Sequence, residues 1–350
     1  MISKTKIGIG VTAGALILTA QPIRTGVLRR AGLPMAVVLL AVLAGCTGTP
    51  EQATSHPTPR SSHDVAQGQQ QSVATSDADW AGVAQALGRP GKLTDTVYRV
   101  PLVRGDLAVV SQGVAIKPGL SLGGYAAFTR YGDLSMMMGD LVITEAEVPK
   151  VTDALQAHGI AQTALHKHLL EQSPPVWWTH VQALGDPVQI AQGLRAALDA
   201  TAIPAPTSSP ATGQLPASSE FAAPSVAAAL GQVGTAEGGI YKFSIARNQT
   251  ITEGGRVLPP GLGETTAVNF QPLGGGKAAI NGDIVMTSDE IQKVIVALRK
   301  GGIQIVEVHN HSLNEQPRLF YLHFWAVDDA ATLARALRPA LDATNLKPAS

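Results

Sequence analysis

Cysteine is nearly absent: the 350-residue chain has one, Cys46. A lone thiol excludes an intrachain disulfide and a cysteine-based zinc site, so any strong metal site must be assembled from histidine, aspartate or glutamate. Charge of one sign is also lacking. The 26 Lys and Arg balance 26 Asp and Glu, which leaves no electrostatic excess to neutralise phosphates and argues against nucleic acid as a partner. Aromatic residues are few, at 4% against 45% apolar residues overall. There is still enough aliphatic material for a core or two, and the length suggests about two domains. Several signatures are missing: a nucleophile elbow, His-Glu-x-x-His, a P-loop and a dinucleotide fingerprint. The one glycine cluster, "LGGGK" at 273–277, lacks the Walker spacing and the following Ser or Thr, so it reads as a tight turn between strands.

Long apolar runs are lacking as well. Arg29 and Arg30 precede an apolar run from Met35 to Ala44 that ends in Leu43-Ala44-Gly45-Cys46. It is far shorter than the roughly 20 apolar residues that span a bilayer, and reads as a cleaved export signal over 1–46. Leu-Ala-Gly-Cys resembles the bacterial lipobox, in which the cysteine is diacylated, so Cys46 is the expected lipidation site and the membrane an expected partner. The alternative is an ordinary secretory signal with a chance cysteine. An earlier run, "IGIGVTAGALILTA", is not needed for export and suggests an over-extended start, with translation beginning nearer Val27 or Met35. Residues 47–79 are rich in Ser, Thr, Gln and Pro and should form a flexible tether.

A shift of 143 residues aligns the chain with itself. Over 139–201 against 282–344, 26 of 63 positions are identical without a gap. The chain is therefore a tandem duplication, with repeats at 80–201 and 225–346 joined by a Pro/Ser/Ala linker at 202–224. In repeat 2, Thr287-Ser288-Asp289-Glu290 reads as a capping box, with the Thr hydroxyl and the Glu carboxylate both satisfying free N–H groups. Ile291, Val294, Ile295 and Leu298 follow at helical spacing, and Gly301-Gly302 closes the helix. Strand-like runs at 303–311 and 318–327 then form a hairpin, and a last helix starts at Asp329, whose counterpart is Asp186. Further strands lie upstream. The fold class expected is α+β: two tandem homologous repeats, each a mostly antiparallel sheet with helices packed on one face.

Six histidines occupy equivalent places, His166, His168 and His180 in repeat 1 and His309, His311 and His323 in repeat 2. A His-x-His pair on a strand points to one face with Cα atoms about 6.5–7 Å apart, a reach from which both rings can grip a divalent ion such as zinc. A third ligand must come from Glu315, Glu307 or His323. If Ser312 to Gln316 forms the hairpin loop, His323 lies near residue 305, roughly 13 Å along the strand from His309. On that register His323 does not complete the pair within one hairpin; a meeting with histidines of the other repeat across a pseudo-twofold axis is open to it, which the sequence does not establish. Glu307 has Ala164 as its counterpart and Glu315 has Gln172, so Glu315 is the better candidate for ligand or general base.

The stretch His309, Asn310, His311, Leu313, Glu315, Pro317, Arg318, His323, Phe324, Trp325, Ala326 resembles the H-N-H-x-L-x-E-x-P-R…H-F-W-A pattern of the LppY/LpqO family of actinobacterial lipoproteins, a domain of unknown function. The resemblance covers about residues 78–346. Repeat 1 departs from the pattern at Lys167, Gln172 and Pro175, which points to a degraded or supporting copy. The family implies a place, the outer face of the cell membrane, and no reaction. Three readings follow from the sequence: a lipid-anchored envelope protein binding a metal, a small molecule or a protein partner through the repeat 2 hairpin; a metal-dependent hydrolase of envelope material with His309 and His311 as ligands and Glu315 as base; and a structural scaffold, in which all six histidines are buried and bonded to backbone.

Overall fold

The computed structural model describes residues 69–205 and 221–348. The signal segment, Cys46, most of the tether and the middle of the linker lie outside the described residues. Repeat 1 runs α1 (Ala81–Leu87), β1 (Lys92–Thr94), β2 (Val97–Val103), β3 (Gly123–Tyr131), β4 (Leu134–Thr144), α2 (Val148–Ala157), β5 (Ala161–His166), β6 (Val176–Gly185) and α3 (Pro187–Asp199). Repeat 2 runs α4 (Ala223–Leu230), β7 (Thr235–Glu237), β8 (Ile240–Ala246), β9 (Thr265–Gly274), β10 (Lys277–Met286), α5 (Ile291–Lys300), β11 (Gln304–His309), β12 (Phe320–Asp329) and α6 (Ala330–Asp342). Each repeat folds into a six-stranded antiparallel sheet, in the orders β1-β2-β3-β4-β6-β5 and β7-β8-β9-β10-β12-β11.

Side chains alternate across each strand, and here both faces are buried. In β10, Ala278, Ile280, Ile284 and Met286 join Val294, Leu298, Leu337 and Leu341 of the helices in one core. In β4, Met137, Leu141 and Ile143 do the same with Val151, Leu155, Leu194 and Leu198. The alternate residues build two mixed clusters. Met136 and Met138 pack with Val285 and Tyr321, and Val142 and Trp178 pack with Ala279 and Trp325. The two sheets therefore stack face to face with helices outside, giving four layers. Strands such as "KAAINGDIVM" are nearly continuous in apolar residues because neither face meets water.

The expected helix starts are present with one change. The Thr287 and Thr144 backbone N–H groups donate to Glu290 and Glu147 at 2.8 and 2.7 Å, but the Thr287 hydroxyl donates to Asp289 instead of capping a backbone group. Both glutamates also hold a buried arginine, Arg247 on Glu290 at 2.7 Å and Arg104 on Glu147 at 2.8 Å. Asp329 and Asp186 cap α6 and α3 by accepting from Thr332 and Gln189. The glycine cluster is the β9–β10 turn, with Gly274, Gly275 and Gly276 all at positive φ, which only glycine adopts without strain. Ordered contact begins earlier than the expected tether end: Gln70 exchanges backbone bonds with Gly255 and Val257. The linker ends are packed too, with Ile203 in the core of repeat 1 and Phe221 in that of repeat 2. Among the described residues no helix is long and apolar enough to cross a membrane.

Candidate metal centre between the repeats

All six equivalent histidines point into the space between the two sheets. His166 and His309 are the last residues of β5 and β11, and His168 and His311 lie two residues on. His180 and His323 sit in the middle of β6 and β12, directly opposite Asp140 of β4 and Asp283 of β10. Opposite residues of an antiparallel pair carry their Cβ atoms about 5 Å apart on the same face, so each aspartate joins the histidines by register alone.

The ring geometry obeys a pseudo-twofold axis. His166 and His309 stack across it with centroids 4.0 Å apart. His168 lies 3.8 Å from His323, and His311 lies 3.8 Å from His180. The within-repeat pairs match as well, His166–His180 at 4.8 Å and His309–His323 at 4.7 Å. Each second histidine of a His-x-His pair is covered by an aromatic ring of its own hairpin: Trp178 stacks on His168, and Tyr321 on His311. The outcome is a sealed site. His166, His180, His309, His311 and His323 are 0–8% exposed, and the His168 side chain is 13% exposed.

Five ring nitrogens are buried without a hydrogen-bond partner, while His166 Nε2 and His168 Nε2 lie 3.0 Å apart, within hydrogen-bond distance of each other. His323 donates Nδ1–H to the Gly282 carbonyl at 2.8 Å, and His311 donates Nδ1–H to the Gly263 carbonyl at 3.1 Å. A neutral imidazole whose Nδ1 carries the proton presents a lone pair at Nε2. Burial, reinforced by the neighbouring histidines, holds His166, His168, His180 and His309 well below the ordinary histidine range. Burial also lowers His311 to about 3. These rings are neutral at neutral pH, the form in which histidine ligates metals. The unpartnered atoms are both nitrogens of His309, His166 Nδ1, His180 Nε2, His323 Nε2, Asp140 Oδ1 and Asp283 Oδ1. Leaving a buried polar group unpaired costs about 1–3 kcal/mol each, so such a concentration calls for a common partner.

One contact makes the point sharply. His311 Nε2, a lone pair by the tautomer argument, lies 3.0 Å from Asp283 Oδ2. Burial raises the Asp283 carboxyl to about 6, opposed by the nearby His323. The contact is favourable when a proton is shared between the two groups or when a cation sits between them. Three groups have ligand atoms all within 4.8 Å of one another: His180, His309 and His311; His166, His309 and His323; and Asp140, His166 and His168. The donor set fits a divalent transition metal, for which imidazole and carboxylate are the usual non-sulfur ligands. The hydrogen bonds from Nδ1 to backbone carbonyls are the outer contacts that orient such ligands.

The register of the hairpin corrects the expected place of His323. It pairs with Glu307, and His309 pairs with Tyr321, so His323 and His309 are diagonal neighbours two residues apart rather than four. Residues 310–319 leave the hairpin, and Glu315–Gln316 pair instead with Thr252–Glu253. The loop is thus wider than a turn over 312–316. His323 meets both His309 and the other repeat's His166 and His168.

Glu315 lies in none of the three ligand groups. Its carboxylate accepts from Arg318 at 3.0 Å and from the Leu319 backbone N–H at 2.8 Å. The counterpart Gln172 donates to the carbonyl of Val176, the equivalent of Leu319. Both copies therefore use this position to close the loop, with the polarity reversed. Glu307 accepts from the Lys167 backbone N–H across the repeat boundary. Asn310 bonds the Thr163 and Ser312 carbonyls, and Arg318 also holds the Ser312 carbonyl. These motif residues position the histidine segment without facing its rings. Asp140 and Asp283 escaped the sequence reading. Their signal was an acidic residue repeated in the middle of two otherwise apolar strands, "GDLV" and "GDIV".

A family described as "Domain of Unknown Function (DUF1259)" matches the chain twice, at residues 81–200 and 224–343. The chain belongs to this family. No curated protein matches it. Among solved structures it is similar to the trimeric bacterial microcompartment shell protein PduB, at 12% identity over 72% of this chain and 92% of that one, with a TM-score of 0.18. It is also similar to EtuB from Clostridium kluyveri, at 11% identity over 72% and 89%, again with a TM-score of 0.18. Overlaps of that quality carry no argument about fold or role.

Proposed function

We propose that this chain is an envelope protein, lipid-anchored through Cys46, that binds a divalent transition metal such as zinc between its two repeats. One observation carries the metal reading: His309 has no hydrogen-bond partner on either ring nitrogen in a site with unpartnered nitrogens on His166, His180 and His323. The primary set is His180, His309 and His311, with Asp283 3.0 Å from His311 as a fourth ligand. Because the set draws on both repeats, metal binding would add to the stability of the docked sheets. The anchor rests on the lipobox-like sequence and on the resemblance to the LppY/LpqO lipoproteins.

The hydrolase reading has less support. It needs an open coordination position and a base beside the metal, whereas the histidines are sealed and Glu315 is engaged in its own loop. The scaffold reading would be favoured by equal burial of all six histidines with each bonded to backbone, and His309 has no such bond. The test is metal analysis of the tag-free full chain, with its His309→Ala/His311→Ala double variant as control. At least one equivalent of metal in the wild type, with one equivalent lost in the double variant, is the expected result. Wild-type protein without metal, even after exposure to zinc, would refute the reading.

A further inference from the structure

Repeat 1 looks like the degraded copy, since it replaces three motif residues with Lys167, Gln172 and Pro175. None of the three is a ligand candidate. The residues that could hold an ion are all kept: Asp140, His166, His168 and His180. From their geometry we infer that repeat 1 carries a second divalent-metal site, formed by Asp140, His166 and His168, so that the interface is a two-ion centre. This rests on the reading of the interface as a metal centre.

The set Asp140, His166 and His168 shares no residue with His180, His309 and His311. Two ions can therefore be held at once without competing for a ligand. His166 Nε2 lies 3.0 Å from His168 Nε2, and His168 Nε2 lies 3.5 Å from Asp140 Oδ2. Neighbouring ligands around a tetrahedral ion with bonds of 2.0–2.1 Å sit about 3.4 Å apart, and these spacings bracket that value. Asp140 is 6% and His166 0% exposed, and Asp140 Oδ1 and His166 Nδ1 have no partner.

Repeat 2 holds this set in place. The Asn281 amide donates to the His168 carbonyl at 2.7 Å, and Glu307 accepts from the Lys167 backbone N–H at 2.8 Å. The His168 ring is fixed against Trp178. Two imidazoles and a carboxylate suit a first-row divalent ion such as Zn(II), Fe(II), Mn(II) or Co(II). The two aspartates, one on each side, would moderate the repulsion between two cations whose ligands His166 and His309 stack on each other.

The test is stoichiometry. The full chain is loaded with Co(II), dialysed, and analysed for bound metal and for cobalt ligand-field absorption. Two ions per chain are expected in the wild type, and one in His168→Asn, in the near-isosteric Asp140→Asn and in His311→Asn. The His168→Asn/His311→Asn double variant should hold none. One ion per wild-type chain, removed by either His168→Asn or His311→Asn, would overturn the second site and leave a single shared one. Two ions persisting in both His168→Asn and Asp140→Asn would overturn the ligand assignment. No ion in the wild type would refute the metal centre itself. The wild-type count decides between one ion and two even if a variant fails to fold.

Discussion

Replacing His309 with leucine should stabilise the metal-free protein and abolish the stabilisation contributed by the metal site that His309 joins. The His309 side chain is 4% exposed and neither ring nitrogen has a partner. Each unpaired buried polar group costs about 1–3 kcal/mol, and leucine is close to histidine in volume, so repacking should cost less than about 1.5 kcal/mol. With two such nitrogens the net expectation is a gain between about 0.5 and 6 kcal/mol without metal. For a unit of this size, at roughly 1.8 °C per kcal/mol, that raises Tm by about 1–10 °C. With zinc at a hundred times the Kd of the site that His309 joins, that site should stabilise the wild type by about 2.7 kcal/mol, and the variant should lack this increment. The variant's advantage in chelator should therefore shrink by about 2.7 kcal/mol in zinc, the trade of stability for function common at binding sites. Differential scanning calorimetry in both conditions is the assay. A folded His309→Leu protein less stable than wild type by more than about 2 kcal/mol in chelator would refute the reasoning, because His309 would then be well satisfied without an ion.

Two further outcomes follow. Burial lowers His311 to about 3, so between that pH and the unfolded-state value near 6.5 the unfolded chain binds more protons. The stability linked to His311 is present in full above pH 6.5 and is lost as pH falls, by about 2 kcal/mol between pH 7 and pH 5. Denaturant titrations in chelator should show wild type losing about that much more than His311→Asn over the interval, and equal losses would contradict it. Arg247, 3% exposed and bound to Glu290 and to the Val285 carbonyl, should cost about 3–5 kcal/mol on replacement by alanine, since Glu290 is left with a buried unpaired charge; urea unfolding measures it.

The duplication and the order of elements were legible because they leave local marks: shared identities at a fixed offset, capping aspartates before α3 and α6, and an apolar stripe along α5. The stacking of one sheet on the other leaves only an indirect mark, the near-continuous apolar runs of β4 and β10, which read equally well as strands of any buried sheet. The site was half visible for the same reason. The His-x-His pairs stand out by spacing. His323 was misplaced because the chain from Asn310 to Leu319 leaves the hairpin, a tertiary choice set by pairing with Thr252–Glu253. Asp140 and Asp283 went unnoticed because one acidic residue in a strand carries no signal until the neighbouring strand is known. Glu315 drew attention by its chemistry, yet its carboxylate is engaged by Arg318 and Leu319.

The claim that imidazoles of both repeats bind one metal centre is tested most directly by X-ray absorption at the zinc edge on the zinc-loaded full chain. The expected spectrum is a shell of nitrogen and oxygen ligands at about 2.0–2.1 Å with the multiple scattering of several imidazoles. That scattering should be reduced in His180→Asn and in His309→Asn alike, because the two residues come from different repeats. An oxygen-only shell, or a spectrum unchanged in both variants, would contradict it.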